Sequence, residues 1–258
     1  MWITGGGTGI GLALARAFAH EGAQLILSGR NLSRLETAKQ EISANSKVDI
    51  IRIDLEDHDG IEKVFNENID LVTDVDILVN NAGISQRSLA HDTQFEVYKK
   101  LIDINYLGTV RLSLLMLYQF KKKNTGHFVV MSSSAGKFGV PQRTGYSGSK
   151  FALHGFFEAM RAEQHESGIN ITMVCPGFIN TDISKNALSA DGSKHGILDD
   201  GQKKGMSPEK MAVAVLAAIK SNKAEILVGG FKETKMAVWM SRFFPSVFRN
   251  MIAKMKVT

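Results

Sequence analysis

Short apolar runs alternate with segments of helical periodicity along residues 1–230. A run of three to six apolar residues is typical of a strand buried on both faces of a parallel sheet, and apolar residues spaced three or four apart indicate a helix with one buried face. This pattern predicts strands at residues 2–4, 24–28, 48–53, 75–79, 128–131, 171–175 and 225–228. It predicts helices at residues 12–20, 33–45, 57–68, 93–121, 146–166 and 208–220.

The regular alternation of strand and helix predicts an α/β fold of the Rossmann type. We expect a doubly wound, mostly parallel seven-stranded sheet with helices on both faces, because parallel strands need a crossover connection. Residues 1–230 contain neither an internal repeat nor a linker and should form one domain. Residues 183–206 are polar and dotted with glycine. A loop of this length in a compact domain is usually a lid or disordered.

Local signals refine the helices. Ser33 and Glu36 have the spacing of a capping box, which predicts that the second helix begins near Ser33. Asn105 and Gly108 lie inside the predicted helix 93–121 and both disfavour helix, so we expect a distortion there. Three lysines close the same helix, where cations favour the C-terminal dipole. We interpret them as a solvated turn and expect no nucleic-acid partner.

Composition places the chain among ordinary globular proteins. Of its 258 residues, 44% are hydrophobic and 22% are charged, and no run of 18 apolar residues is found that would span a bilayer. Met1 leads directly into a glycine-rich turn, so no secretory signal is predicted. The single cysteine, Cys175, excludes an internal disulfide and fits a reducing compartment. We predict a cytoplasmic protein, and we predict no metal site.

A glycine-rich turn joins the first strand to the first helix. Its glycines allow a phosphate to approach the backbone, and the start of the helix supplies free amides and the positive end of the dipole. The second strand then completes a βαβ unit of the size that binds a dinucleotide. The predicted cofactor contacts here are Gly5, Gly7, Thr8, Gly9 and Ile10.

Arg30 follows the second strand, about 20 residues after the glycines. An acidic residue at this position binds the ribose 2′-hydroxyl of NAD, whereas a guanidinium pairs with the 2′-phosphate of NADP. Arg30 therefore favours NADP (NADPH), with a solvated surface arginine as the alternative. Asp54 follows the third strand and is predicted to accept a hydrogen bond from the adenine amino group.

Small and amide-rich residues follow the fourth strand. Ligands of open α/β sheets bind at the carboxyl ends of the strands, so this segment should border the ligand. The predicted contacts are Asn81, Ala82 and Gly83.

Tyr146 and Lys150 carry the candidate chemistry. Four residues apart on a helix, they lie one turn from each other on one face. An ammonium about 4 Å away could lower the pKa of Tyr146 by roughly one to three units, so that the phenol exchanges protons near neutral pH. Ser133, at the end of the fifth strand, could hydrogen-bond the same substrate oxygen. The alternative is that the tyrosine and the lysine are merely surface neighbours.

These motifs together resemble the short-chain dehydrogenase/reductase family, in the same order and spacing over roughly residues 1–230. They are Thr4-Gly5-x-x-x-Gly9-Ile10-Gly11, Asn80-Asn81-Ala82-Gly83, Asn105, Ser133, Tyr146-x-x-x-Lys150 and Pro176-Gly177-x-x-x-Thr181. The resemblance implies that Tyr146 is the catalytic acid/base and that Ser133 orients the substrate oxygen. It implies that Lys150 binds the nicotinamide ribose and lowers the pKa of Tyr146.

The resemblance implies further roles. Asn105 would hold a water in the proton relay, and Asn81 and Gly83 would border the cofactor. Pro176 and Gly177 would contact the cofactor as well, and Thr181 would lie near the carboxamide or the pyrophosphate. The implied reaction moves a hydride between the nicotinamide and a carbonyl carbon while Tyr146 exchanges a proton with the oxygen. The predicted partner is thus a small carbonyl or alcohol substrate.

The loop 183–206 and the C-terminal segment resemble, more loosely, the dehydrogenase/reductase member 7 and hydroxysteroid-dehydrogenase branch, which implies a lipophilic substrate. A 3-oxoacyl-carrier-protein reductase is an alternative that the C-terminal segment disfavours. A non-catalytic NADPH-binding or sensing protein is a second alternative, which the complete set of four catalytic residues disfavours. A sugar-nucleotide epimerase or dehydratase would need a larger C-terminal domain than 258 residues allow.

Two long helices carry more apolar residues than one side of a sheet needs. We therefore predict a homodimer or homotetramer formed through residues 93–121 and 146–166, as the family resemblance also implies. The apolar residues in question are Leu112, Leu114, Leu115, Met116, Leu117, Phe151, Phe156, Phe157 and Met160.

The net charge of +5 lies entirely in residues 231–258. Residues 1–230 carry 25 basic and 25 acidic residues, whereas this basic tail carries six basic residues against one acidic residue. Its apolar residues have helical spacing on either side of Pro245, at Met236, Trp239, Met240, Phe243, Val247, Phe248, Met251, Ile252 and Met255. Two short basic amphipathic helices predict peripheral membrane contact. The alternative is that the apolar face packs on the domain or on a second subunit.

Overall fold

The computed structural model describes residues 1–44, 46–229 and 231–254. The strands are β1 (Trp2–Thr4), β2 (Leu25–Gly29), β3 (Val48–Arg52), β4 (Ile77–Asn80), β5 (Gly126–Met131), β6 (Ile169–Pro176) and β7 (Glu225–Val228). The helices are α1 (Gly9–His20), α2 (Leu32–Ile42), α3 (His58–Glu67), α4 (Ile69–Val72), α5 (Phe95–Ile102), α6 (Gly108–Lys123), α7 (Thr144–Glu163), α8 (Asp200–Lys203), α9 (Pro208–Lys220), α10 (Phe231–Phe243) and α11 (Pro245–Ala253). A π-helical turn, Asp103–Leu107, joins α5 to α6.

The strands form one sheet in the order β3-β2-β1-β4-β5-β6-β7. Every neighbouring pair is parallel, so among the described residues the sheet is parallel throughout rather than mostly parallel. The strand order reverses between β1 and β4, which opens a crevice at their carboxyl ends. The predicted doubly wound Rossmann-type fold is confirmed.

Helices cover both faces of this sheet and create two hydrophobic cores. Trp2 and Ile3 are adjacent on β1, yet Trp2 packs with Phe65 and Phe128 in one core while Ile3 packs with Leu14 in the other. Successive side chains of a strand point to opposite faces, and here both faces are dry. The strands are therefore continuously apolar, which is the pattern that predicted them.

The second helix begins earlier than predicted. Asn31 is its N-cap, and the Asn31 side chain accepts a hydrogen bond from the Arg34 backbone N–H at 3.0 Å. The predicted capping box of Ser33 and Glu36 is therefore wrong, because Asn31 caps the helix and Ser33 already lies in its first turn. The helix ends at Ile42, and its predicted end at residue 45 lies outside the described residues.

The predicted distortion of the long helix is confirmed by the π-helical turn. A Cβ on Gly108 would lie 2.1 Å from the Leu55 carbonyl oxygen, so this glycine lets the helix pack closely against the segment after β3. The combined segment Phe95–Lys123 is long and apolar enough to cross a membrane by length and composition, contrary to the expectation from the sequence. Half of its most apolar window is buried within the domain, as in a core helix.

The loop 183–206 is ordered by backbone hydrogen bonds. Leu188 N–H donates to the Ser85 carbonyl and Arg87 N–H donates to the Leu188 carbonyl, both at 2.8 Å. Gln94 N–H donates to the Ala190 carbonyl at 2.9 Å. The disordered alternative is therefore wrong, whereas its role as a lid stays a prediction.

The basic tail combines a packed residue with an exposed apolar face. Phe248 of α11 is 4% exposed, and its ring centroid lies 4.9 Å from that of Phe138. Trp239, Phe243 and Val247 are exposed. The packing alternative thus holds for Phe248, while Met255 and Lys256 lie outside the described residues.

Only some of the apolar residues that suggested oligomerisation are exposed. Leu112, Met116, Phe157 and Met160 are buried in the protein's own core. Leu114 and Phe151 are 46% and 44% exposed, and Tyr118 of α6 is 61% exposed. The number of residues available to an interface between copies is therefore smaller than the sequence suggested.

Candidate active site

The glycine-rich turn between β1 and α1 requires its glycines. Gly5 and Gly9 have φ of +64° and +54°, a left-handed conformation that other residues rarely adopt. A Cβ on Gly11 would lie 2.2 Å from the Gly5 carbonyl oxygen. The N-cap residue, Thr8, makes no side-chain cap bond, so the first amides of α1 are left for a ligand. This geometry fits the phosphates of a dinucleotide.

Thr4 and Asn81 join this turn to the end of β4. The Thr4 hydroxyl accepts hydrogen bonds from the backbone N–H groups of Asn81 and Ala82, at 2.9 and 3.0 Å, and donates to the Val79 carbonyl at 3.2 Å. The Asn81 side-chain amide donates to the Thr4 carbonyl at 2.8 Å. Asn81 thus holds the glycine-rich turn in place.

The end of β6 closes the other side of the turn. A Cβ on Gly9 would lie 3.4 Å from the Thr181 methyl group, so Thr181 faces the glycine-rich turn. Gly177 N–H donates to the Val228 carbonyl at 2.6 Å. A Cβ on Gly177 would lie 2.4 Å from the Thr234 hydroxyl oxygen, so only glycine lets α10 approach here.

Two arginines lie at the end of the cleft nearest β2. Arg30 is exposed there, and Arg34 of α2 is exposed beside it. Among the described residues neither guanidinium pairs with a carboxylate. Sequence reasoning missed Arg34, although a second arginine only four positions after Arg30 is a usable signal. Asp54 borders the same end and accepts a hydrogen bond from the Glu56 N–H at 3.1 Å.

A cleft of about 1690 Å³ runs from these arginines to α11. Every predicted cofactor residue lines it, as do Ser133, Tyr146 and Lys150. Asn105 alone among the predicted site residues does not. The structure therefore brings residues from distant parts of the sequence together, as the carboxyl-edge argument predicted.

Tyr146 and Lys150 are buried, with relative exposures of 7% and 4%. The alternative that they are surface neighbours is therefore wrong. The Ser133 hydroxyl lies close enough to the Tyr146 phenol to affect its pKa, so one substrate oxygen can contact both. Lys150 Nζ donates to the Met131 carbonyl at 2.7 Å and lies 5.8 Å from the centroid of the Tyr146 ring.

Burial raises the pKa of Tyr146, which contradicts the predicted decrease. The Ser133 hydroxyl and the positive charges of Arg143 and Arg87 act in the opposite direction without overcoming burial. Burial likewise lowers the pKa of Lys150 to about 8. The spacing of Tyr146 and Lys150 indicates the charge of a nearby ammonium but not the removal of the phenol from water, which dominates here.

Asn105 is fully buried in the π-helical turn. Its amide nitrogen donates to the Ile84 carbonyl at 2.9 Å and to the Ser149 hydroxyl at 3.0 Å, and its oxygen accepts from the Ile84 N–H at 2.8 Å. The side chain thus ties the π-helical turn to the segment after β4 and to α7. Its role in a proton relay stays a prediction.

Gln86 positions the start of α7 and was missed in the sequence. Its side-chain oxygen accepts from the backbone N–H groups of Gly145 and Tyr146, at 2.8 and 3.3 Å. The N-cap residue Arg143 makes no side-chain cap bond, so Gln86 substitutes for a local cap. No sequence pattern links residues so far apart in the chain.

His154, Cys175 and Glu225 bring ligand-type atoms within 4.8 Å of one another. His154 Nε2 faces the Cys175 sulfur at 3.6 Å, whereas its other nitrogen, Nδ1, faces Glu225 at 3.8 Å. Glu225 already pairs with Lys137 at 2.5 Å, and burial raises the pKa of the Cys175 thiol to about 12. A thiol that stays protonated does not bind a metal as a thiolate. His154 turns one ring nitrogen toward the thiol and the other toward the carboxylate, so no single nitrogen faces both groups. The three residues are therefore a poor set of metal ligands.

A parallel Rossmann-type sheet with a glycine-rich turn after β1 and a Ser, Tyr and Lys set in one cleft defines an oxidoreductase of the dinucleotide-binding class. The family model for short chain dehydrogenases matches residues 1–192. The chain belongs to the short-chain dehydrogenase/reductase family, and its relatives include the dehydrogenase/reductase member 7 proteins.

Individual relatives extend the similarity over most of the chain. Dehydrogenase/reductase SDR family member 7B of Xenopus tropicalis is 37% identical, with 97% of this chain and 83% of the relative aligned. The SDR family protein 7-like of Drosophila melanogaster is 36% identical over 99% of this chain and 79% of its own length.

Solved structures show the same architecture. An alcohol dehydrogenase of the archaeon Thermococcus sibiricus, complexed with 5-hydroxy-NADP, has a TM-score of 0.76 and 26% identity, covering 88% of this chain and 94% of its own. The closed form of a serine dehydrogenase complexed with NADP⁺ has a TM-score of 0.79 and 25% identity, covering 90% of this chain and 94% of its own.

Proposed function

We propose that this protein is an NADP(H)-dependent oxidoreductase that interconverts a carbonyl and an alcohol on a lipophilic substrate. The observation that carries the proposal is the convergence of Ser133, Tyr146 and Lys150 in the cleft that also contains the glycine-rich turn. Bound NADP(H) would supply or accept the hydride. The chain's own residues would bind the substrate and move the proton.

Tyr146 holds the proton at its phenolic oxygen. A pKa raised by burial keeps the phenol protonated at neutral pH, which suits a proton donor to a carbonyl oxygen and therefore the reducing direction. Ser133 would hydrogen-bond the same oxygen. Lys150 would bind the nicotinamide ribose, and the charges of Arg143 and Arg87 would stabilise the phenolate left behind.

The preference for NADP(H) rests on Arg30 and Arg34. Two exposed guanidiniums without carboxylate partners among the described residues suit a 2′-phosphate, which takes bidentate hydrogen bonds from arginine. The two structural neighbours whose complexes contain an NADP species support the same choice.

The lipophilic character of the substrate rests on the wall of the cleft beyond Tyr146. Apolar side chains from three parts of the chain line it, namely Phe138, Val140, Leu188, Phe248, Met251 and Ile252. The loop 183–206 covers this region and would act as its lid.

The proposed reaction is tested with Tyr146→Phe, which removes the acidic hydroxyl and keeps the ring. NADPH oxidation by a panel of ketones, aldehydes and oxo-lipids should fall by about 10²- to 10⁴-fold. NADPH binding, followed by fluorescence, should persist. Tyr118→Phe is the matched control, because Tyr118 is exposed on α6. Retention of most activity in Tyr146→Phe would exclude the mechanism.

We also propose that the basic tail contacts anionic membrane surfaces from the cytoplasmic side. Trp239 lies beside Phe243 and Phe244 in an exposed cluster, with ring centroids 5.6 and 5.2 Å away. Arg242 and Arg249 of the same tail are exposed. Apolar rings bordered by cations suit an anionic lipid surface. Replacing Trp239 and Phe243 with serine should abolish sedimentation with anionic vesicles at low salt. Absence of vesicle binding by the unchanged protein would refute the proposal.

A homodimer or homotetramer is proposed through α6 and α7. Leu114, Tyr118 and Phe151 supply the exposed apolar side chains for it. Light scattering at micromolar concentration tests this assembly, and a monomeric mass would refute it.

A further inference from the structure

The cleft beyond Tyr146 contains an unbalanced cluster of buried charges. The side chains of Arg87 and Asp199 are each 1% exposed, and that of Arg143 is 10% exposed. Charged side chains are almost never fully buried unless they are paired, because their removal from water is costly. Two guanidiniums facing one carboxylate leave one positive charge in excess.

Arg87 forms the structural pair with Asp199. Its Nε and Nη2 donate to Asp199 Oδ2 at 2.9 and 2.5 Å. Its remaining nitrogen, Nη1, donates to the Ser85 hydroxyl at 3.0 Å and to the Gln86 carbonyl at 2.6 Å. Every nitrogen of this guanidinium has a partner, and the pair fastens the loop 183–206 to the segment after β4. The charges of Arg87 and Asp199 therefore cancel.

Arg143 has no comparable partner. Its Nη2 lies 3.3 Å from Asp199 Oδ2, which already accepts two hydrogen bonds from Arg87. Its Nε is buried without a hydrogen-bond partner among the described residues. The guanidinium lies over the Phe178 ring, 5.8 Å from the centroid, which restricts its orientation. Burial lowers the pKa of Arg143 to about 10, so it remains a cation at neutral pH.

The cluster presents its positive side to the cleft. Arg87 and Arg143 both line the cleft, whereas Asp199 is not among the described residues that do. Arg143 precedes Tyr146 by three residues, and its charge acts on the phenol. Lys194 and Lys204 line the cleft as well.

The acidic residues of the cleft do not neutralise this charge. Among the described lining residues they are Asp54 and Asp182. Asp182 pairs with Lys185 at 2.9 Å. Asp54 follows β3, which the strand order separates from β5 and its Ser133 by β2, β1 and β4.

We propose that Arg143 binds an anionic group of the substrate, a carboxylate or a phosphate, beside the carbonyl that Tyr146 protonates. The inference rests on the proposed function, since it defines the substrate class of the same site as an oxo compound with an apolar chain and one anionic group. A planar guanidinium offers two parallel N–H donors to such a group. An anion there balances the excess charge of the cluster.

The test measures binding of octyl phosphate, octanoate and octanol to the full chain by calorimetry in saturating NADP⁺. The three ligands share one apolar chain and differ only in the head group, and NADP⁺ occupies the arginines near β2. Either or both anions should bind about tenfold or more tightly than octanol. Comparison of the two anions identifies the preferred head group.

Variants assign the preference to Arg143. In Arg143→Met the ratio of anion to octanol affinity should fall to about one. Lys204→Met, which removes an exposed cation of the same cleft, should retain most of the ratio at moderate salt. If circular dichroism shows that Arg143→Met is unfolded, Arg143→Lys tests the role of Arg143 in its place. It keeps the charge, loses the planar fork and should lower the ratio at least about threefold.

Two results would overturn the proposal: equal binding of all three ligands by the unchanged protein, or an undiminished ratio in the folded Arg143 variant. The measurement does not depend on turnover. A protein that prefers the anions but reduces no carbonyl would refute the proposed reaction and leave the anionic subsite in place. A carbonyl reductase without the preference would refute the subsite alone.

Discussion

Gln86 offers a test of how the fold places the catalytic tyrosine. Gln86→Met keeps the length and approximate volume of the side chain but removes the oxygen that accepts from the N–H groups of Gly145 and Tyr146. In the unchanged protein the Gln86 amide nitrogen also donates to the hydroxyls of Ser88 and Thr93, at 3.1 and 3.3 Å. These two hydroxyls also bond each other at 2.7 Å, so the loss is concentrated at α7.

The expected cost follows from the two amides. A buried N–H left without an acceptor costs about 1–3 kcal/mol, and the 3.3 Å bond is the weaker of the two. We therefore expect the free energy of unfolding to fall by roughly 2–4 kcal/mol. A displacement of Tyr146 by about 1 Å would also lower kcat/KM by roughly 10²-fold.

Urea unfolding and NADPH oxidation measure the two effects. Gln94→Met is the matched control, because Gln94 is the exposed N-cap of α5 and makes no side-chain cap bond. If Gln86→Met and Gln94→Met differed by less than about 0.5 kcal/mol, the capping role of Gln86 would be wrong.

Four other outcomes are expected. Arg30→Asp should weaken NADPH binding and improve NADH binding, because a carboxylate repels a 2′-phosphate and accepts a hydrogen bond from a free 2′-hydroxyl. Arg52→Asp, at another exposed arginine, is the control. An unchanged ratio of the two affinities in Arg30→Asp, or the same change of the ratio in Arg52→Asp, would contradict this prediction. The pKa of Lys150, about 8 against 10.5 when unperturbed, predicts that turnover falls as pH rises through about 8. Between about pH 8 and pH 10.5 the unfolded chain holds more protons at Lys150 than the folded chain does. The contribution of Lys150 to the free energy of unfolding therefore rises with pH across this interval, and urea unfolding at pH values on either side of it measures the rise. Burial lowers the pKa of His127 from 6.5 to about 4, so stability should fall as pH decreases through this window, and His127→Gln should flatten the fall.

Much of the fold could be predicted because its determinants are local. Buried parallel strands are apolar on both faces, so they appear as continuous runs whatever their neighbours are. The glycine-rich turn needs φ values that glycine alone adopts readily, and Gly5 and Gly9 have them. Tyr146 and Lys150 share a helix face because of helical periodicity. These features depend on residues a few positions apart and therefore need no knowledge of tertiary contacts.

The protonation chemistry of the site was decided by tertiary structure. Spacing alone placed an ammonium beside Tyr146, but the pKa of the phenol depends on how much water the surrounding elements remove. The cations that act on it, Arg143 and Arg87, come from a loop and from the segment after β4.

The sequence by itself determined the strands, the glycine-rich turn and the shared helix face, since period and backbone conformation are properties of short segments. The tertiary structure decided which polar groups meet: Gln86 with the start of α7, and Asp199 with Arg87 across 112 positions of the chain. Burial and electrostatic pairing depend on distances in space. The spacing of residues along the chain does not give those distances, because they follow from the order of the strands, which brings the carboxyl ends of the strands together.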